Sequence, residues 1–154
     1  MNEYRITKYN PENRNTQGHY LDVQDWTEFS DVGKKVSLEE YEIVEESYIS
    51  SAIDFIKENE PNGLQIRDLQ DLKSRSTFKE GDVVLIKELA PVLRSLLRGE
   101  YWCRLESEQS FIHFGWDYYM YIGVNNASSE SILRTTEKGL YVEEFISPYH
   151  PENT

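Results

Sequence analysis

The stretch Phe111–Gly123, FIHFGWDYYMYIG, limits the choice of fold more than any other part of this chain. Read with period two, Ile112, Phe114, Trp116, Tyr118, Met120 and Ile122 fall on one side. Phe111, His113, Gly115, Asp117, Tyr119 and Tyr121 fall on the other. The first set is apolar enough to line a core, and the second suits a half-exposed sheet face. Gly115-Trp116-Asp117 can turn the chain, so the stretch reads as one strand or, at least as readily, as a hairpin FIHF / YYMYIG.

The flanking sequence supplies helices to cover such a sheet. Ser37–Glu58 is the clearest, with Ser37 as N-cap and Glu40 completing a capping box. Leu38, Tyr41, Val44, Tyr48, Ala52 and Phe55 recur at helical spacing, widened by Ile49, Ile53 and Ile56. Lys87–Arg98 is a second helix, which places Pro91 in its first turn, where a missing N–H matters little. A third runs from Ser128 or Ser129 to Lys138 and ends at Gly139. Strands are expected at Tyr4–Tyr9, Leu64–Leu69, Tyr101–Ser107 and Leu140–Ile146. Val83–Ile86 is either a short strand or a lead-in to the second helix.

Asn10–Gly18 is a loop by composition. His19–Lys35 reads as an ordered loop pinned by Trp26 and Phe29, and Ser147–Thr154 as a flexible tail. The element order predicts one α+β domain over the 154 residues, a two-layer, mostly antiparallel sheet with helices packed on one face. The row Ile112, Phe114, Tyr118 and Met120 should meet the helix stripes.

Sixteen basic residues against 28 acidic give a net charge of −12. Such a chain repels nucleic acid and anionic membrane and suits a cationic partner, although acidity also serves plain solubility. The charge is segregated. Ser37–Glu60 holds eight acids and one base, a net of −7 in 24 residues. Leu64–Arg104 holds eight bases and six acids. A solvated helix with a favoured dipole and a binding face are both consistent with this pattern. A single cysteine, Cys103, excludes an intrachain disulfide and a cysteine-rich zinc site. The segment after Met1 has no apolar run of signal-peptide length, and no stretch approaches the roughly 20 apolar residues that span a bilayer, so a cytoplasmic protein is expected.

Chemistry-bearing motifs are few. His113 with Asp117 is the one acid–base pair that a hairpin could assemble, yet no nucleophile accompanies it, and a structural histidine is the simpler reading. Cys103 reads as a small buried hydrophobe. His19 and His150 have no metal-ligand spacing, and phosphate-binding, dinucleotide and nucleophile-elbow motifs are absent, so no cofactor is expected. Arg94, Arg98 and Arg104 could form a small basic patch, but it lacks interleaved exposed aromatics.

Four segments carry a resemblance: YNP with GHYL and QDWTEFSDVGK near the start, LEEYEIVEESYI, EYWCRLES, and FIHFGWDYYMYIG. Together they resemble a family of small uncharacterised proteins of Bacillus-type bacteria, whose members carry a similar DEWTSFSDIGK segment and HFGYDYYMYIG. The resemblance runs from about Tyr4 to Tyr141, with Trp116 standing where tyrosine is more usual. Small acidic proteins of this sort resemble in type the immunity proteins encoded beside bacterial polymorphic toxins. That resemblance implies a non-enzymatic protein that neutralises a basic toxin, plausibly a nuclease, and implies no catalytic residues.

The expected partner surface is Glu39, Glu42, Glu45 and Glu46 on the helix, with Asp117, Tyr119 and Tyr121 on the sheet. The alternatives are an interaction module without a toxin partner and, least favoured, a hydrolase using His113 and Asp117.

Overall fold

The computed structural model describes residues 1–13, 25–59 and 62–151. The expected loop at Asn10–Gly18, the first part of His19–Lys35 with His19, Glu60, and the end of the tail lie wholly or partly outside the described residues.

In chain order the elements are β1 (Asn2–Thr7), α1 (Leu38–Lys57), β2 (Leu64–Gln70), β3 (Val83–Val84), α2 (Ile86–Leu97), β4 (Trp102–Glu106), β5 (Ser110–Phe114), β6 (Met120–Val124), α3 (Ser129–Glu137) and β7 (Tyr141–Glu144). Short 3-10 turns lie at Pro11–Asn13 and Phe29–Asp31. The strands form one antiparallel sheet in the order β3-β2-β4-β5-β6-β1-β7. This is an α+β domain with the helices on one face.

Phe111–Gly123 is the hairpin β5–β6, with Ile112 opposite Ile122, His113 opposite Tyr121 and Phe114 opposite Met120. That register sends Ile112, Phe114, Tyr118, Met120 and Ile122 into the core beside Tyr41, Tyr48 and Phe55 of α1. Trp116 breaks the pattern. The chain turns at Gly115–Tyr119, the alternation ends there, and Trp116 projects from the tip into solvent.

Local chemistry sets the helix ends. Ser37 Oγ accepts the Glu40 N–H at 3.1 Å and starts α1. Ser128 Oγ accepts the Ser131 N–H at 3.0 Å and starts α3. At α2 it is Glu88 that reaches back, accepting the Leu85 N–H at 3.1 Å. This begins the helix one residue before Lys87 and puts Pro91 inside it, past the first turn. Pro91 and Lys87 are exposed, so water can take up the Lys87 carbonyl that the proline leaves unpaired. Gly63 turns the chain from α1 into β2 at φ +96°, where a Cβ would sit 2.3 Å from the Val84 carbonyl oxygen. Trp26 is buried edge-on against Tyr41 and Tyr118, so the loop from Asp25 is pinned as its large rings suggest.

The second sheet face was expected to be half exposed. Phe111, His113 and Tyr121 are instead buried, because the chain after β7 crosses over them. Phe145 packs on Tyr121 and Arg5, and Tyr149 packs on Trp102, His113 and Tyr121. His150 meets Phe111 edge-on. The segment read as a flexible tail is thus, as far as residue 151, part of the packed structure.

Candidate functional site

Three regions carry side chains that could do chemistry or bind: the α1 surface, the hairpin end, and the covered sheet face.

On α1 the exposed positions of the first turns are Leu38, Glu39, Glu40, Glu42, Ile43 and Glu46. Among the described residues Glu39, Glu40 and Glu42 have no ion-pair partner, and Glu46 reaches Arg94 only at 3.7 Å. Ile43 stands in the middle of these carboxylates with 69% of its surface exposed. Glu45 does not belong to this surface. It is 3% exposed and turned toward α2, where Arg98 donates to it through Nε and Nη2 at 2.8 and 3.0 Å and Arg94 Nε at 3.2 Å. The Tyr41 hydroxyl adds a fourth donor at 2.6 Å. Burial opposes the charge, but Arg98, Tyr41 and Arg94 together hold the carboxyl below the usual range.

Asp54 is likewise inward, bonded by Arg134 Nε and Nη2 at 2.7 and 2.9 Å, and that arginine holds its carboxyl low. Two of the eight acids in this segment are therefore spent inside the fold. Glu45, four residues after Tyr41 and three before Tyr48, lies on the buried stripe of α1 where arginines of α2 reach it, and Asp54 is buried on the side of α1 that meets Arg134 of α3.

The hairpin end is built from tyrosines. Asp117 and Tyr118 adopt φ of 59° and 65°, two adjacent non-glycine residues in the left-handed region. The Tyr9 hydroxyl donates to the Asp117 carbonyl at 2.6 Å and the Tyr48 hydroxyl to the Tyr118 carbonyl at 2.8 Å. The Tyr118 and Tyr41 hydroxyls meet at 2.7 Å. Burial pushes the Tyr9, Tyr41, Tyr48 and Tyr118 phenols well above their ordinary values, so they are neutral hydrogen-bonding groups. The Asp117 side chain is exposed at the tip. Tyr119 is half buried, 5.4 Å from the Arg5 guanidinium, and Tyr121 is buried under Phe145 and Tyr149. Of the expected partner residues, Glu39, Glu42, Glu46 and Asp117 lie on the surface, and Glu45 and Tyr121 do not.

On the covered face His113 is fully buried, and its two ring nitrogens are engaged. Nδ1 is 2.7 Å from Ser147 Oγ and Nε2 is 2.8 Å from Glu106 Oε2. The Glu106 carboxylate can only accept, so the neutral imidazole donates to it through Nε2 and Nδ1 accepts the Ser147 hydroxyl, which also takes the Tyr149 N–H at 3.1 Å. Burial pushes the histidine below its ordinary value despite the pull of Glu106 in the other direction. Glu106 also takes Arg104 Nη1, and Arg104 donates through Nε and Nη2 to Asp68 at 2.9 and 2.6 Å.

The His113–Asp117 pair that a hairpin could assemble does not form, because the turn carries Asp117 away to the exposed tip. The hydroxyl–imidazole–carboxylate order is that of an activated nucleophile, but Ser147 and His113 both have no exposed surface. Glu106 was legible in principle, since a hairpin closed at Glu108–Ser110 puts it on the face of His113. Ser147 comes from 34 residues downstream with no local signal.

Cys103 is buried, and burial pushes its thiol up to about 12. Among the described residues no group of three or more His, Cys, Asp or Glu side chains could hold a metal ion. No described helix is long and apolar enough to cross a membrane. No protein-family model, curated protein or solved structure matches the chain significantly.

Proposed function

We propose that this chain is a non-enzymatic acidic binding protein of the immunity type, acting in the cytoplasm to neutralise a basic toxin protein. The observation that carries this reading is the start of α1. Among the described residues Glu39, Glu40 and Glu42 stand exposed without ion-pair partners, around the exposed side chains of Leu38 and Ile43. The inward acids of the same helix are each matched by an arginine, so the fold neutralises carboxylates where it needs to and leaves these open. A carboxylate field of this kind speeds encounter with a cationic surface, and apolar side chains within it add contact area. It disfavours nucleic acid as the partner. The sealed Ser147–His113–Glu106 chain supports a structural role for the histidine.

The test is co-expression. A basic toxin domain encoded beside this gene is produced in a host that it kills, with and without this protein. Rescue by the wild type, lost in Glu39→Lys/Glu42→Lys/Glu46→Lys with an unchanged circular dichroism spectrum, is the expected result. Rescue by the triple variant at wild-type level would remove the acidic face from the function.

A further inference from the structure

Trp116 has 86% of its surface exposed. A tryptophan is usually buried over most of its area. Trp26 here is in the core, and Trp102 is half buried with its indole N–H donated to the Phe114 carbonyl at 2.8 Å.

The turn that presents Trp116 is costly and firmly held. Left-handed backbone at two successive non-glycine residues is disfavoured and has to be held by its surroundings. It is sustained by the Tyr9 and Tyr48 hydroxyls on the carbonyls of Asp117 and Tyr118, and by Tyr118 packing against Trp26, Tyr41 and Tyr48. The Gly115 N–H to Tyr119 carbonyl bond at 2.8 Å and the Tyr119 N–H to Trp116 carbonyl bond at 3.2 Å close the loop. A large ring on a fixed backbone loses little freedom when it docks.

The tip lies toward the same half of α1 as the open carboxylates. Tyr41, in the second turn of α1, meets Tyr118 hydroxyl to hydroxyl. The far end of α1 is tied elsewhere, with Asn59 Nδ2 donating to the Asn126 carbonyl just beyond β6. Trp116 and Asp117 therefore lie toward the first half of α1, whose solvent side, opposite Tyr41 and Tyr48, carries Glu39, Glu40, Glu42 and Ile43.

We propose that Trp116 is the anchor by which this end docks a basic protein, its indole entering an apolar pocket whose cationic rim meets Asp117 and the α1 carboxylates. The proposal rests on the acidic-binding reading above and adds the residue that supplies affinity, as buried tryptophans do at interface centres.

The test places a photo-crosslinking benzoylphenylalanine at position 116 or at position 43 and irradiates a lysate of the native host. The basic protein captured is then purified, and its affinity is measured for the wild type, Trp116→Phe, Trp116→Ala and Leu72→Ala. The last removes a fully exposed apolar side chain from the loop after β2. Expected are adducts with the same basic protein from both positions, at least about a 30-fold loss of affinity in Trp116→Ala, a smaller loss in Trp116→Phe and none in Leu72→Ala. Because the ring is exposed, melting temperatures should not move.

A basic partner captured at position 43, with affinity for Trp116→Ala within about threefold of wild type, would overturn the anchor while leaving the acidic reading intact. Failure of both positions to capture a basic protein would overturn both. Phosphatidylglycerol vesicles bound in place of a protein, or a dimer in sedimentation, either abolished by Trp116→Ala, would assign the tip to a lipid surface or to a second copy of the chain.

Discussion

His113 Nδ1 accepts a hydrogen bond from Ser147 Oγ at 2.7 Å, and through this contact the segment after β7 is fastened across the sheet. The fastening is polar at its centre and aromatic around it, with Phe111 stacked on the His113 ring at 4.2 Å and Tyr149 edge-on. Protonating His113 adds a second N–H where only a serine hydroxyl waits as acceptor, and the rearranged hydroxyl must give up the bond it now donates.

Stability should therefore fall in acid. The folded-state pKa of His113 is below its unfolded value, so the unfolded chain takes up the proton first as pH drops below about 6.5. Glu106, kept low by His113 and Arg104 against its own burial, loses its contribution at lower pH still. The melting temperature should decline from pH 7 to pH 5, and His113→Gln should be less stable at pH 7 but flatter between pH 6.5 and 5. A wild-type melting temperature that rises over that range would contradict the neutral, buried histidine.

Glu45 and Glu42 lie one helical turn apart in sequence and should behave oppositely. Glu45→Ala leaves Arg94 and Arg98 facing an empty position and should cost about 3 kcal/mol in urea unfolding. Glu42→Ala, on the exposed side, should stay within about 0.5 kcal/mol. Equal effects would mean that Glu45 is not held as described.

Phe114 is buried on the core side of the hairpin. Phe114→Ala should cost about 3–5 kcal/mol, and a loss below about 1 kcal/mol would show that Phe114 is not packed in the core as described.

Gly123 is roofed by the Phe111 ring, and a Cβ there would come within 2.1 Å of the nearest ring carbon. Gly123→Ala should destabilise by about 1–3 kcal/mol because the ring must lift out of its stack with His113. Native stability in Gly123→Ala would show that the ring has room to move.

The helices and the hairpin were legible because their signals are local. Ser37 with Glu40, a serine at 128 or 129 ahead of the third helix, and the alternation on either side of the Gly115 turn each lie within a few residues. Tyr4–Tyr9 was placed two residues late, since the run of β-prone residues continues past the last paired residue, Thr7. What could not be read depends on contacts distant in sequence. Ser147 and Tyr149 cover a face whose own alternation looks half exposed. Arg94, Arg98 and Arg134, themselves partly exposed, cover the buried carboxylates of Glu45 and Asp54. Trp116 looked like a core residue because period two was carried through a turn that interrupts it.

The central claim is that the open carboxylates at the start of α1 steer a basic protein to this end of the molecule. It is tested most directly by the association rate constant with the purified basic partner, measured by stopped flow against salt concentration. For the wild type the rate should fall steeply as salt rises, because screening shortens the reach of exposed charges. For Glu39→Lys/Glu42→Lys/Glu46→Lys it should be at least about tenfold slower at low salt and nearly flat, with folding stability little changed. An association rate in the triple variant equal to wild type at low salt would contradict the account.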